Sequence, residues 1–193
     1  FELVDMQTVH AKGTKVVYTI SFDKIQKEYT EKVKEGTATG SFDTYLKSEM
    51  DKQIGYAGSF DGMITEYKGN NPIYMSAEQK AEAKKYQDIF FSAVLTWKTA
   101  NADKLLTFQG YPENLIEQTI LTNCKHIILA TDNVTDDAQL SVFARLAMAA
   151  AGVPTDRFVV AVSTASLDAS DKQTGFYGTD RALTEAAYWT TEP

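Results

Sequence analysis

Residues 59–69 read SFDGMITEYKG, from Ser59 to Gly69. Phe60, Met63, Ile64 and Tyr67 give this segment the apolar, partly β-branched character of a strand. Asp61-Gly62 stands at its start, and Tyr67-Lys68-Gly69 carries the chain out into a polar loop. The expectation is a buried strand that delivers residues to one end of a sheet.

Upstream, Lys15 to Phe22, KVVYTISF, is a nearly continuous β-branched and aromatic run. It is too short for a helix and too apolar for a half-exposed strand, so it predicts a strand buried on both faces. Before it, Leu3, Met6 and His10 recur at helical spacing and Ala11-Lys12-Gly13 supplies a basic last turn with a glycine stop. Asp23 to Gly40 reads as a long polar insertion holding a short helix around Ile25 to Val33. From Ser41, an N-cap, the residues Phe42, Leu46, Met50, Ile54 and Ala57 return every three or four positions and predict a helix ending at Gly58.

Downstream, Ser76-Ala77-Glu78-Gln79 has the form of a capping box, opening a long helix with Tyr86, Phe90, Ala93 and Trp97 on one face. Lys104 to Gln109 predicts a buried strand closed by Gly110-Tyr111-Pro112, Glu113 to Thr122 a shorter helix, and His126 to Thr131 a further strand. Asp136 and Asp137 open the next helix, lined by Leu140, Phe143, Ala147 and Ala150. Phe158 to Thr164 is the last strand, and a final helical stretch runs through Leu183, Ala187 and Tyr188. Strand and helix alternate through five strands with no hairpin signal, which means an α/β fold of parallel strands and crossover helices. A doubly wound open sheet and a (β/α)8 barrel both satisfy that pattern. No Gly-x-Gly-x-x-Gly or Walker loop follows any strand, which argues against a nucleotide-binding open sheet.

With 193 residues, 44% of them hydrophobic and 23% charged, the chain can bury one substantial core. Its formal charge of -7 is spread without runs, unlike the basic footprint of a nucleic-acid binder. The single Cys124 cannot form an internal disulfide and, lying just before an apolar strand, reads as a small buried hydrophobe. No apolar run approaches the ~20 residues of a membrane span, so any signal peptide or lipid anchor is expected upstream of Phe1.

Through Phe60, Asp61, Gly62 and Tyr67, the 59–69 segment resembles the catalytic strand of family 18 glycoside hydrolases, the chitinases and endo-β-N-acetylglucosaminidases. Their motif runs Asp-x-x-Asp-x-Asp-x-Glu, written FDGxDxDxE. Here Ile64 takes the place of the second Asp, Glu66 that of the third, and Lys68 that of the proton-donating Glu. AKGTKVVYTISF near the start and GVPTDRFVVAVSTASLDASDKQTGFYGTDRALTEAAYW at the end look like family 18-type bacterial surface glycan-utilisation lipoproteins. The resemblance implies a (β/α)8 TIM barrel with the motif on its fourth strand. The five predicted strands are then barrel strands 3 to 7, and residues 1–193 form an incomplete portion of a single barrel domain, truncated at both ends. It also implies a secreted or outer-membrane location, a glycan ligand and partnership with other outer-membrane glycan-uptake proteins. No cofactor, metal or nucleic acid is expected.

Family 18 hydrolysis is substrate-assisted: the motif Glu protonates the glycosidic oxygen, and the Asp two residues earlier orients the substrate acetamide for attack. A lysine ammonium is a poor acid at neutral pH, and an isoleucine offers no hydrogen bond. The resemblance therefore implies a protein that binds N-acetylglucosamine-containing glycans without cleaving them, with Asp61, Ile64, Glu66 and Lys68 as motif positions and none assigned as catalytic. Two alternatives stay open: an active endo-β-N-acetylglucosaminidase or chitinase using Glu66 or another carboxylate as acid, and a non-glycan α/β binding domain of flavodoxin-like form.

Barrel proteins build their sites at the C-terminal ends of strands. That places Glu66, Lys68, Asn70, Asn71 and Tyr74 after one strand, Gln109 and Tyr111 after the next, then Asp132 and Asn133, then Phe176 and Tyr177. Amides and carboxylates suit sugar hydroxyls, and aromatic faces suit pyranose rings. Each has a plainer reading. Glu66 and Lys68 suit a structural ion pair, Tyr111 a turn-packing role, and the carboxylates of Asp136 and Asp137 beside Asp132 a helix start rather than a metal. Trp97 and Trp189 read as core packing, and His10 and His126 lie at the wrong ends of their elements for a barrel site.

Overall fold

Five strands lie in one parallel sheet in the order β1-β2-β3-β4-β5, each beside its predecessor in sequence. The computed structural model describes residues 11–70, 74–111, 114, 118–130 and 152–161. The strands are β1 (Val17–Ser21), β2 (Gly62–Glu66), β3 (Leu105–Gly110), β4 (His126–Ala130) and β5 (Phe158–Ala161). Helices α1 (Phe22–Lys34), α2 (Phe42–Ala57), α3 (Ala77–Ala100) and α4 (Gln118–Asn123) fill the connections described between them. A doubly wound sheet reverses its strand order at a switch point. Sequential order without a reversal is instead that of a (β/α) barrel segment, which sets the flavodoxin-like alternative aside. The expected helices at 1–10, after Asp136 and through Leu183 lie outside the described residues, as does Trp189.

The chain divides into two compact units. The first contains β1, β2, the start of β3 and helices α1 to α3. β1 pairs with β2 in parallel, from Val17 opposite Gly62 to Ser21 opposite Glu66. Ser21 caps α1, its hydroxyl accepting the Lys24 N–H at 3.3 Å. Asp23 in the first turn and Lys32 and Lys34 in the last suit the helix dipole. Ser76 and Gln79 form the reciprocal capping box that their spacing predicts. An ion pair between Lys85 and Asp43 links α3 to α2.

The core of this unit is aromatic. Phe22 sits among Tyr67, Phe90 and Phe42, with ring centroids 4.7, 5.7 and 6.0 Å away. Ile20, Met63, Leu46, Met50, Val94 and Trp97 complete it, all buried. Thr65 is fully buried too, and its hydroxyl donates to the Thr107 carbonyl at 3.3 Å.

Three expectations need correction. β1 begins at Val17 and is buried on one face only, with Val17 37% exposed and Ile20 1%. Among the described residues it pairs with β2 alone, and β-branched residues serve a one-sided strand as well as a two-sided one. The polar insertion is mostly helix: α1 starts at Phe22 and buries only Phe22 and Ile25, so its apolar stripe is too short to stand out in sequence. In α3 the buried stripe is Phe90, Phe91, Val94 and Trp97, with Tyr86 and Ala93 half-buried at its margin.

The second unit holds the end of β3 with α4, β4 and β5. β4 and β5 are parallel, from Ile127 opposite Phe158 to Ala130 opposite Ala161. Ile120, Leu121, Cys124, Ile127, Leu129 and Val153 are buried. Cys124 is thus core, its thiol donating to the Ile120 carbonyl at 3.1 Å. Arg157 donates to the Thr122 and Cys124 carbonyls at 3.1 and 3.3 Å, which ties the short 3-10 turn before β5 to the end of α4.

Gly62 leaves room for the neighbouring strand where a side chain would not fit. A Cβ there would lie 2.7 Å from both the Cβ and the carbonyl oxygen of Leu105, inside van der Waals contact. Gly62→Ala should therefore lower unfolding stability by about 2 kcal/mol, seen as a lower urea midpoint with an unchanged slope. Tyr86 supplies a second check. Its ring packs edge-on to Phe42 at 4.8 Å and its hydroxyl donates to Glu82 at 2.7 Å. Burial, then the Glu82 hydrogen bond and charge, push its pKa up to about 12. The unfolded chain releases that proton near 10, so Tyr86's contribution to stability is complete below about pH 10 and lost as pH rises towards 12. Absorbance titration should show a tyrosinate component centred near 12 that Tyr86→Phe removes.

Candidate functional site

Side chains along an extended strand alternate between faces, and β2 divides its residues accordingly. Met63 and Thr65, with Tyr67 just beyond, are buried, while Ile64 and Glu66 are half-buried on the opposite side. Lys68, also half-buried, follows the end of β2. The face of β2 carrying Ile64 and Glu66 is therefore not the face that packs into the aromatic core.

In the first unit, Ser21 of β1 stands opposite Glu66 of β2 at the C-terminal ends of the two strands. A cavity of about 450 Å³ opens there, lined in part by Thr19, Ser21, Lys24, Glu28, Gln53 and Glu66. That volume lies in the usual range of small-molecule pockets, and the lining combines carboxylates, an amide, hydroxyls and one ammonium. Tyr18 closes one side, its hydroxyl donating to Gln53 Oε1 at 2.5 Å and its ring 5.1 Å from that of Phe60. Burial, reinforced by the neighbouring Tyr56, raises the Tyr18 pKa, so it stays a neutral hydrogen-bonding group.

In the second unit, Lys68 places its ammonium 5.4 Å from the centre of the Tyr111 ring, within cation–π range. Asn114 is 5% exposed and donates its amide to the Lys68 carbonyl. Its own side-chain oxygen is buried without a partner among the described residues. Gln109 is half-buried on β3, and Asn70 is exposed in the loop after β2.

The opposite end of the sheet is built differently. Asp61 Oδ2 accepts the Val16 N–H at 2.7 Å, the Asp61 N–H donates to the Val16 carbonyl at 2.9 Å, and the Asp61 carbonyl accepts from Leu105 at 3.1 Å. Lys104 donates to the Gly58 carbonyl at 2.5 Å. These groups stitch together the N-terminal ends of β1, β2 and β3.

Of the sequence candidates, Glu66 lines the cavity, and Lys68 meets Tyr111. Tyr74 is 85% exposed, and His126 is exposed at the start of β4. Asn71, Asp132, Asn133, Phe176, Tyr177 and His10 lie outside the described residues. No group of three metal-ligating side chains occurs among the described residues, and no described helix is long and apolar enough to cross a membrane. Sequence reasoning missed Ser21, Lys24, Glu28, Gln53 and Asn114. Ser21 was findable as the last strand residue before a helix, and Lys24 and Glu28 as an i, i+4 pair on that helix. Asn114 carried no signal, because its burial depends on the turn it makes back to the Tyr111 carbonyl.

A family model described as Glycoside hydrolase family 18, BT1044-like, matches residues 2–192, almost the whole chain. No curated protein matches it.

Asp61 tests whether this motif position acts in structure or in binding. Asp61→Ala leaves the Val16 N–H without its carboxylate and should cost about 1–3 kcal/mol in urea unfolding. Asp61→Asn, which keeps an acceptor oxygen, should recover more than half of that loss.

Proposed function

The chain belongs to glycoside hydrolase family 18, BT1044-like, and on that premise we propose that it binds N-acetylglucosamine-containing glycans without hydrolysing them. The observation that carries this reading is the face of β2 opposite the core, which presents Ile64 and Glu66; with Lys68 after the strand, only one of the three motif positions is a carboxylate. The family reaction needs a neutral acid that protonates the leaving oxygen and a carboxylate two residues earlier that positions the acetamide. Lys68 holds a cation where the acid belongs. It adds positive charge beside a centre that becomes positive in the transition state, which disfavours bond cleavage. Glu66 keeps the second role, since a carboxylate can accept the acetamide N–H. Ile64 ends the chain of hydrogen-bonded carboxylates below it.

Support for binding comes from the cavity that Glu66 lines with Ser21, Glu28 and Gln53, a set of acceptors and donors suited to sugar hydroxyls. The biological role we propose is glycan capture during carbohydrate uptake at the bacterial cell surface, alongside other outer-membrane uptake proteins.

Incubation with a chitobiose-core glycopeptide, followed by mass spectrometry, should show no released glycan, while calorimetry with the same ligand shows binding. Glu66→Ala should weaken that binding about tenfold, the loss of one charge-assisted hydrogen bond. Released product that disappears on Glu66→Gln would favour a working hydrolase instead, and absence of binding to any N-acetylglucosamine-containing glycan would remove the proposal.

A further inference from the structure

We infer, resting on the glycan-binding reading above, that Gln53, held in one orientation by Tyr18, reads the acetamide carbonyl of the ligand and so prefers N-acetylated sugars over sugars with a hydroxyl in that place. Both residues line the cavity at the ends of β1 and β2, Tyr18 from β1 and Gln53 from α2. The Tyr18 hydroxyl donates to Gln53 Oε1 at 2.5 Å. Each residue is half-buried.

A side-chain amide has a carbonyl acceptor at one end and two N–H donors at the other, and which end meets a ligand depends on what holds it. Here the carbonyl is already engaged. Burial raises the Tyr18 pKa, so the hydroxyl keeps its proton and needs an acceptor. Turning the amide over would let the hydroxyl accept from an N–H but leave its own proton unmatched in a half-buried place, which is costly. What Gln53 has left to offer is its amide nitrogen, which has no partner among the described residues. Two N–H donors suit a carbonyl oxygen. A hydroxyl in its place would accept from the amide and still need an acceptor for its own proton. The other side chains on the cavity wall do not make this distinction. Glu28 only accepts, and the hydroxyls of Thr19 and Ser21 accommodate either group. Lys24 is exposed, a strongly hydrated charge on a flexible stem that separates one acceptor from another poorly.

Calorimetry with N,N'-diacetylchitobiose and cellobiose tests this, since the two neutral disaccharides share a linkage and differ at the acetamides. The unsubstituted chain should bind the acetylated sugar more tightly. Gln53→Glu, nearly the same shape but with both donors replaced by an acceptor, should lower the affinity for diacetylchitobiose about tenfold and change that for cellobiose by less than about twofold. Gln53→Met, which removes the donors without adding charge, should act in the same direction. Tyr18→Phe keeps the ring against Phe60 but frees the amide to turn, and should lower the ratio by an intermediate amount. Circular dichroism checks the fold of each variant. Equal binding of the two sugars by the unsubstituted chain, or a ratio left unchanged by the Gln53 or the Tyr18 substitutions, overturns the inference and leaves glycan binding intact. Binding of neither sugar overturns both.

Discussion

The two-residue repeat of an extended strand constrains everything else in this protein. β2 cannot bury Met63 and Thr65 without turning Ile64 and Glu66 to the other side. The aromatic cluster decides which side faces inward, because Phe22, Tyr67, Phe90 and Phe91 remove far more apolar surface from water than the alternate residues could. A slip of one residue would exchange the two sets and expose the cluster's partners. The direction in which Glu66 points is thus a consequence of where Tyr67 packs.

The two ends of the first unit's sheet divide the labour. At the N-terminal ends, backbone groups and the side chains of Asp61 and Lys104 bind one another, so polar capacity there is used in holding strands together. At the C-terminal ends of β1 and β2, Ser21 and Glu66 stand side by side over an open cavity. Parallel strands joined by helices produce this polarity, since all strand ends of one kind lie at one edge and the connecting loops there are free to vary.

How far the sequence revealed this depends on how local each signal is. The capping box at Ser76 and Gln79 and the burial of Cys124 were readable because they rest on residues a few positions apart. The choice between barrel and doubly wound sheet was not readable from periodicity, because strand order is a long-range property that alternation leaves open. α1 was half hidden, since a helix that buries only Phe22 and Ile25 leaves a mostly polar sequence. The pocket wall formed by Lys24, Glu28 and Gln53 escaped for the same reason: those residues join Glu66 only once α1 and α2 are packed. Resemblance supplied the significance of Glu66 and Lys68, and alternation then explains the exposure of Glu66.

The residues that carry the resemblance on and before β2 divide along a physical line. One part, Phe60-Asp61-Gly62, has structural work to do: Phe60 packs on Tyr18, Asp61 binds the Val16 N–H, and Gly62 leaves room for Leu105. Replacing any of these disturbs the sheet, whatever the protein binds. Ile64 and Glu66 lie on the face of β2 not used by the core, where a change of side chain alters chemistry more than folding. Tyr67, just past β2, has its ring among Phe22, Phe90 and Phe91 and its hydroxyl accepting from Gln87 at 3.2 Å. A strand whose packing and chemical residues occupy opposite faces can lose one function without the other. A change of side chain at Ile64 or Glu66 therefore leaves the packing of Met63, Thr65 and Tyr67 standing.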